Sequence, residues 1–293
     1  MNMFFDEVSF KKFISPGTNR KDFILSELKR NGIECYVMPV ENKNHIYVKF
    51  PQSSYNPEYR IKTVIAHYDI VFESPGANDN SFAVFALMEF AKFLNETKFP
   101  HNIRLIFTDG EEFSGSVKNQ GAFALAALFK KLSITKDYIF VFDCMGRGNI
   151  PILAKTVFSP KVSKNFYREF LTLENCAKSI LSSANSKYLV LPVPYSDNAG
   201  FIANGLFSCA ITMLPENEAN LFMYNLMKNP FLEDYVLNNR KNLSKEECDF
   251  FKKLIPKTWN FFHTQNDDFS SLTLESFSVM MRILFSLSQA AFI

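Results

Sequence analysis

Histidine and carboxylate side chains follow several apolar, strand-like segments of this 293-residue chain. The first such segment ends in Ala66-His67-Tyr68-Asp69. His67 and Asp69 are two residues apart in an extended stretch, so their side chains point to the same side. A carboxylate placed there can hydrogen-bond the imidazole and hold it in the tautomer that binds a metal ion. His67 is therefore a candidate metal ligand, and Asp69 is its candidate support.

Four further segments supply side chains of the same kinds. They are the turn at 74–80 with Asp79, the end of the 103–108 run with Glu111 and Glu112, the end of the 138–142 run with Asp143, and a later apolar segment that ends at His263. Adjacent side chains diverge, so one of the two glutamates can bind a metal while its neighbour faces substrate. Each residue alone is more often structural. Their joint occurrence in the order H-x-D, D, E-E, D, H, nearly all at strand ends, predicts a metal site.

Strand-like and helix-like segments alternate along the chain and predict how these residues are positioned. Strands are predicted at 34–38, 45–50, 63–68, 103–108, 138–142 and 208–214, and helices at 20–30, 81–95, 122–132 and 164–181. A turn is predicted to open at Pro39, and residues 217–254 are expected to form helical pieces and loops beside the site. The alternation predicts an α/β fold with a doubly wound, largely parallel sheet. Ligands of such sheets bind beyond the carboxyl ends of the strands, where we expect the candidate residues to meet.

Composition excludes several other classes of protein. Hydrophobic residues make up 47% of the chain, including 33 Phe, which is enough to build a large core. With 32 basic and 30 acidic side chains, the charge predicts neither nucleic-acid nor membrane binding. The segment 274–293 is interrupted by polar residues and predicts a core-packed helix rather than a membrane span. We place no domain boundary within residues 1–293.

The cysteines and the N-terminal segment predict where in the cell the protein is located. The five cysteines are widely spaced without a C-x-x-C pair, which predicts free thiols. The opening residues lack the basic start and apolar run of a secretory signal. We therefore expect a cytoplasmic location.

Five segments resemble, in order, the motifs of the M28 zinc aminopeptidases. They are AHYDIVFESPGANDNSFAVFALMEFA (66–91), RLIFTDGEEFSGS (104–116), FVFDCMGRG (140–148), YSDNAGF (195–201) and HTQNDD (263–268). The resemblance implies a zinc-dependent exopeptidase fold with a mixed, mostly parallel sheet flanked by helices. It also implies that His67 and Asp143 hold one zinc ion, that Glu112 and His263 hold a second, and that Asp79 bridges them.

The same resemblance implies the activity. Two Zn²⁺ per chain are expected, with one as the alternative, and the substrates are peptides with a free N-terminus. Glu111 would act as general base in hydrolysis of the N-terminal peptide bond, and Tyr195 would help to hold the oxyanion. Two positions depart from the usual motifs: Asn198 stands where histidine is common, and Cys144, expected to point into the core, follows the ligand Asp143. Phe82 and Phe85 replace small residues and are expected to alter packing more than chemistry.

Two alternatives to an aminopeptidase remain. Glutaminyl cyclases share the fold and much of the pattern but bind a single zinc ion, and they typically carry Trp directly before the final histidine, where this chain has Phe262. Some relatives keep the fold as non-catalytic binding modules after losing ligands, whereas this chain has a residue at every ligand position. The short gap from His67 to Asp79 favours M28 over the related M20 carboxypeptidases. The oligomeric state and the preferred N-terminal residue are left open.

Overall fold

The structure is a computed structural model that describes residues 5–112, 116–158, 161–185, 187–238 and 243–293. Within these ranges the strands are β1 (Cys35–Val40), β2 (Lys43–Val48), β3 (Lys62–His67), β4 (Ile103–Thr108), β5 (Tyr138–Phe142), β6 (Ile150–Ala154), β7 (Leu189–Leu191) and β8 (Phe207–Leu214). The α-helices are α1 (Glu7–Phe13), α2 (Arg20–Arg30), α3 (Phe82–Glu96), α4 (Gly121–Lys131), α5 (Lys164–Ala184), α6 (Asn198–Ala203), α7 (Glu216–Lys228), α8 (Leu232–Val236), α9 (Lys245–Lys252) and α10 (Glu275–Gln289).

The strands form one mixed sheet in the order β1-β2-β4-β3-β5-β8-β6-β7. The central strands β4, β3, β5 and β8 are parallel to one another, and β6 pairs in parallel with β7. Antiparallel pairing joins β1 to β2, β2 to β4 and β6 to β8. The prediction of an α/β fold with a mixed, mostly parallel, doubly wound sheet is confirmed.

Side chains of the central strands alternate between two hydrophobic clusters. In β5, Tyr138, Phe140 and Phe142 face one cluster, while Ile139 and Val141 face the other. The first cluster includes side chains of α1, α2, α3, α5 and α10, and the second includes those of α4, α6, α7, α8 and α9. Because successive strand side chains point to opposite faces, a strand that is apolar at every position must be covered on both. The sheet therefore lies between two helical layers.

Aromatic side chains of α3 pack against aromatic side chains of the N-terminal segment. Phe10 lies 5.0 Å from Phe85 between ring centroids, edge to face, and Phe82 stacks on Phe5 at 5.2 Å. Phe82 is completely buried, and Phe85 is nearly so. The two bulky residues of α3 thus pack against the N-terminal segment.

The predicted turn at Pro39 is wrong. Pro39 lies inside β1, paired with Asn44, and the chain reverses after Val40, where Glu41 has a left-handed backbone with φ of 52°. Proline has no backbone N–H to donate. Because β1 is an edge strand, this absence costs no hydrogen bond in the interior of the sheet. Helices α1 and α6 and the short strands β6 and β7 were not predicted from the sequence.

Two later segments agree with expectation. Residues 217–254 contain α7, α8 and α9 with connecting loops, apart from 239–242, which lie outside the described residues. The predicted C-terminal helix is α10, whose buried side chains include Phe277, Met280 and Leu284. Among the described residues, no helix has the length and apolarity needed to cross a membrane.

Candidate metal centre

The carboxyl ends of β3, β4 and β5 lie side by side and position most of the predicted ligands. His67 is the last residue of β3 and stands opposite Thr108 of β4, while Ile65 stands opposite Val141 of β5. Glu111 and Glu112 follow β4 after a turn, and Asp143 follows β5 directly. Asp79 comes from the irregular turn Ala77–Ser81 between β3 and α3, where its φ and ψ are −109° and 88°.

One donor group is formed by His67, Asp79 and Asp143. The Nε2 atom of His67 lies 3.3 Å from Asp79 Oδ1 and 3.5 Å from Asp143 Oδ1. One ligand atom from each of the three residues lies within 4.8 Å of the others. The imidazole is completely buried, and among the described residues neither of its nitrogens has a partner with hydrogen-bond geometry. A buried nitrogen aimed between two carboxylates is the arrangement expected of a metal ligand.

A second donor group is formed by Asp79, Glu112 and His263. The Nε2 atom of His263 lies 2.9 Å from Glu112 Oε2 and 3.4 Å from Asp79 Oδ2. The Asp79 carboxylate thus presents one oxygen to each histidine. The structure brings all five predicted ligands together in two groups that share this residue.

The prediction that His263 follows a strand is wrong. It comes after a 3₁₀ turn, Lys257–Phe261, in the connection between α9 and α10, and its backbone is left-handed with φ of 59°. The apolar residues before it are explained by packing in the second cluster, where Trp259 is buried and Phe262 is partly buried. Apolar character in a short run does not distinguish a strand from a turn that packs on the core.

Asp69 contacts both the histidine and the glutamate turn. Its Oδ1 lies 3.5 Å from Nδ1 of His67, on the side of the ring away from Asp79. The backbone N–H groups of Glu111 and Glu112 also donate to its two oxygens, at 3.2 and 3.0 Å. Asp69 therefore lies beside His67, and the same carboxylate holds the turn that carries both glutamates.

Glu111 is held by a residue that the sequence reasoning missed. The side-chain amide of Gln120 donates to Glu111 Oε1 at 3.0 Å and to the Glu111 carbonyl oxygen at 3.2 Å. Glu111 also has an oxygen within 4.8 Å of ligand atoms of His67 and Glu112. It therefore faces the donor groups from one side with its orientation fixed by an amide.

The electrostatics of the cluster favour cations. Burial raises the pKa of Glu111 well above its usual range and also raises that of Glu112. Hydrogen bonding to Asp79 and Glu112 raises the pKa of His263 to about 10. Burial acts to raise the pKa of Asp79, but the adjacent imidazoles of His263 and His67 outweigh it and the pKa is lowered. The carboxylates of this cluster repel one another, and a cation bound between them and the two imidazoles would stabilise the arrangement.

Two further residues fasten the turn that carries Asp79. The buried Asp267 carboxylate accepts the backbone N–H groups of Asn78 at 2.8 Å and Asp79 at 3.0 Å. Arg20 of α2, also buried, donates to the carbonyl oxygen of Pro75 at 2.7 Å. Asp267 belongs to the HTQNDD segment and could have been suspected from it. Arg20 lies 55 residues from its partner, and no local pattern points to it.

A cavity of about 580 Å³ opens over both donor groups. Its lining includes Glu111, Glu112, Asp79, Asp143 and His263 together with the apolar side chains Ile70, Val71, Phe72, Val193, Pro194, Ile211, Trp259 and Phe262. Tyr195 also lines the cavity and is about half exposed, at 49%. The shape and the mixed lining are those of a site that binds a ligand beside the ions.

The expectation that Cys144 points into the core is wrong. The side chain is buried, but it lines the cavity, and its thiol donates to Asp143 Oδ1 at 3.2 Å. The backbone of Cys144 is left-handed, with φ of 55°, which turns the side chain back towards the preceding residue. Asn198, the other departure from the usual motifs, begins α6 and is buried.

The chemistry of the donors fits zinc. Each group combines one imidazole with two carboxylates, and nitrogen and oxygen donors of this kind bind Zn²⁺. Three protein ligands per ion leave a coordination position for water or substrate. The residues present therefore suit zinc at either donor group.

The model of peptidase family M28 matches residues 45–288. The chain belongs to peptidase family M28. No curated protein matches the chain when sequences are compared.

Solved structures with the same fold include enzymes of more than one activity. A zinc-dependent exopeptidase from Parabacteroides distasonis is 17% identical with a TM-score of 0.61, covering 98% of this chain and 99% of its own. A glutaminyl cyclase from Porphyromonas gingivalis is 15% identical with a TM-score of 0.62, covering 97% and 98%. The LapA aminopeptidase of Legionella pneumophila is 12% identical with a TM-score of 0.60, covering 96% and 69%. At these identities the likeness establishes the fold of this M28 chain.

Proposed function

We propose that this chain is a zinc-dependent aminopeptidase that hydrolyses the N-terminal bond of peptides with a free amino terminus. One observation carries the proposal: two donor groups of one histidine and two carboxylates share Asp79 beneath an open cavity. His67 and Asp143 would hold one zinc ion, Glu112 and His263 would hold the other, and Asp79 would bridge them. When bound, the ions would polarise the scissile carbonyl and lower the pKa of a bound water molecule to roughly 7.

Glu111 is the proposed general base. It lines the cavity beside both donor groups, and its hydrogen bond from Gln120 holds one carboxylate oxygen in place. In the proposed reaction, the other oxygen accepts a proton from the attacking water and then delivers it to the amine that leaves. Asp69 keeps His67 oriented, because its carboxylate faces the ring nitrogen that points away from Asp79.

The substrate would bind in the apolar part of the cavity. A side chain at the N-terminus of a peptide can pack against Val193, Ile211 or Phe262, which line the space above the donor groups. Tyr195 lines the same cavity with half of its surface exposed, and its hydroxyl would help to hold an oxyanion that forms on the scissile carbonyl.

Zinc titration and a hydrolysis assay test the proposal together. Protein stripped of metal with a chelator and reloaded with Zn²⁺ should retain two equivalents and release p-nitroaniline from leucyl-p-nitroanilide. Well under one equivalent of zinc would instead indicate a non-catalytic relative. Two equivalents without release of any N-terminal residue from a panel of peptides would contradict the peptidase assignment.

Substitution of Glu111 tests the catalytic role separately from metal binding. Glu111→Gln should lower kcat by roughly 10² to 10⁴, because the amide cannot accept the proton, while zinc content is unchanged. The matched control is Glu58→Gln at an exposed position away from the site, which should leave both quantities unaltered. Full activity in Glu111→Gln with zinc bound would show that another group is the base.

A glutaminyl cyclase is the second candidate. The cyclase from Porphyromonas gingivalis overlaps this chain over nearly the full length of both proteins. An indole also lines the cavity here, although it belongs to Trp259 and not to the residue before His263. A peptide that begins with glutamine separates the activities: released glutamine supports the peptidase, and a pyroglutamyl peptide supports the cyclase.

A further inference from the structure

Asn80 contacts both neighbours of Asp143. Its side-chain Nδ2 donates to the carbonyl oxygen of Phe142 at 2.9 Å, and its Oδ1 accepts the N–H of Cys144 at 3.1 Å. Asn80 is completely buried. One amide therefore spans the backbone on either side of Asp143 and fixes the direction in which the carboxylate leaves the chain.

The other asparagine beside Asp79 binds the same loop further along. The Oδ1 atom of Asn78 accepts the N–H of Gly146 at 2.7 Å. The turn that carries Asp79 is thus fastened to residues 142–146 at three backbone groups. The distance between the Asp79 and Asp143 carboxylates is consequently set by these amides.

The second donor group is positioned by other residues. The turn that carries Glu112 is held by Asp69, and the segment that carries His263 is held partly by Ser74, whose hydroxyl donates to the Thr264 carbonyl oxygen at 3.1 Å. Among the described hydrogen bonds, the side chain of Asn80 reaches the Asp143 loop and neither of these segments. Because Asp267 also holds the backbone N–H groups of Asn78 and Asp79, loss of the Asn80 side chain would release the Asp143 loop and leave Asp79 in place.

We propose that Asn80 is a positioning residue for Asp143 and sets the zinc affinity of the His67–Asp79–Asp143 site without setting that of the Asp79–Glu112–His263 site. This inference rests on the proposed function. A loop released from Asn80 would have to be ordered again whenever the ion binds, which weakens that site. Loss of residues that orient metal ligands typically lowers metal affinity by about 10- to 100-fold.

Single-site backgrounds make the asymmetry measurable. His263→Ala leaves the first donor group intact, and His67→Ala leaves the second. Asn80→Ala is introduced into each background, and the metal-free proteins are titrated with Zn²⁺ in competition with a chelating dye. The zinc dissociation constant should rise about 10- to 100-fold in the His263→Ala background and stay unchanged in the His67→Ala background.

Two additional variants separate positioning from general loss of structure. Asn80→Ser keeps a small polar side chain and should give the same asymmetry if Asn80→Ala does not fold. Asn102→Ala is the matched control, because Asn102 is also buried and makes three hydrogen bonds, to Asn56 and Tyr59, at the opposite end of β4. It should lower the melting temperature and leave zinc affinity unchanged in both backgrounds.

The possible failures are distinguishable. If neither single-site protein binds zinc before Asn80 is changed, the proposed function fails and the inference fails with it. If both bind zinc and the Asn80 variants weaken neither site, or weaken both sites equally, the inference alone is overturned.

Discussion

Glu111 and Gln120 illustrate how a functional side chain depends on a single neighbour. The Gln120 amide donates to the Glu111 carboxylate and to its backbone carbonyl oxygen, so both ends of the glutamate are restrained. A carboxylate that must first accept a proton and then donate it benefits from a fixed orientation, because misplacement of a reacting group by about 1 Å can cost about 10²-fold in rate.

Replacing Gln120 should therefore lower the rate without removing the ions. We expect Gln120→Leu to reduce kcat by about 10- to 100-fold, with KM and bound zinc little changed, because the Gln120 amide hydrogen-bonds Glu111 and not a predicted zinc ligand. Steady-state kinetics and zinc content of the purified variant check this. A variant with normal kcat would show that Glu111 is oriented without the amide, and one that loses zinc would show that Gln120 supports ligand binding.

The residues of the donor groups could be predicted from their types and their order along the chain. The residues that hold them in position could not. His67, Asp79 and Glu112 stand beside recognisable turns and strand ends. Gln120 reaches Glu111 across residues 113–115, which lie outside the described part of the chain, and Arg20 reaches Pro75 from another helix. Such contacts depend on how elements pack, and a linear pattern does not contain that information.

At the scale of elements, the start of α4 is fitted closely to the turn after β4. The N–H of Gly121 donates to the carbonyl oxygen of Gly110 at 2.9 Å. A Cβ atom at Gly121 would lie 1.8 Å from the Asp109 carbonyl oxygen and 3.0 Å from His45 Cε1. Only glycine lets the helix begin this close to the turn that leads to Glu111.

Gly121→Ala should consequently disturb the turn as well as the helix. We expect a loss of about 1–3 kcal/mol in the free energy of unfolding, the usual range for a side chain forced into a packed interior, together with reduced zinc binding. Chemical denaturation and metal analysis measure the two effects. Gly205→Ala is the comparison, because its added Cβ meets nothing within 4 Å and only its left-handed backbone is strained.

Sequence patterns predicted the central elements better than the peripheral ones. The strands β4 and β5 and the helix α2 were predicted at the bounds that the structure has, since each is a strong apolar or amphipathic run with a clear end. The short strand β7 was missed because three residues carry no detectable period. Pro39 was misread because its effect depends on whether a strand lies at an edge, which is a property of the sheet.

At the scale of the whole molecule, a buried lysine lies at the opposite end of β3 from His67. Lys62 is 2% exposed and donates a hydrogen bond to the carbonyl oxygen of Ala290, beyond α10. Burial lowers its pKa to about 7. The proton that the unfolded chain would keep at mildly alkaline pH is therefore released on folding.

The stability of the protein should thus depend on pH through Lys62. Between about pH 7 and the unfolded pKa near 10.4, the unfolded chain binds more protons, so stability rises with pH by up to roughly 1.4 kcal/mol per unit from this group. Below about pH 7 both states are protonated, and the destabilisation is constant and largest. We expect Lys62→Met to flatten the rise measured by urea denaturation from pH 6 to 10, while Lys130→Met, at an exposed position, leaves it as in the wild type. An unchanged slope in Lys62→Met would show that the buried amine stays protonated.

The amides of Asn78 and Asn80 bind backbone groups of residues 142–146 and no side chain there. The Phe142 carbonyl and the Cys144 N–H belong to the backbone, so the attachments of Asn80 do not depend on the side chains at positions 142 and 144. A changed side chain at position 144 would therefore leave both attachments of Asn80 in place and keep the backbone on either side of Asp143 fixed.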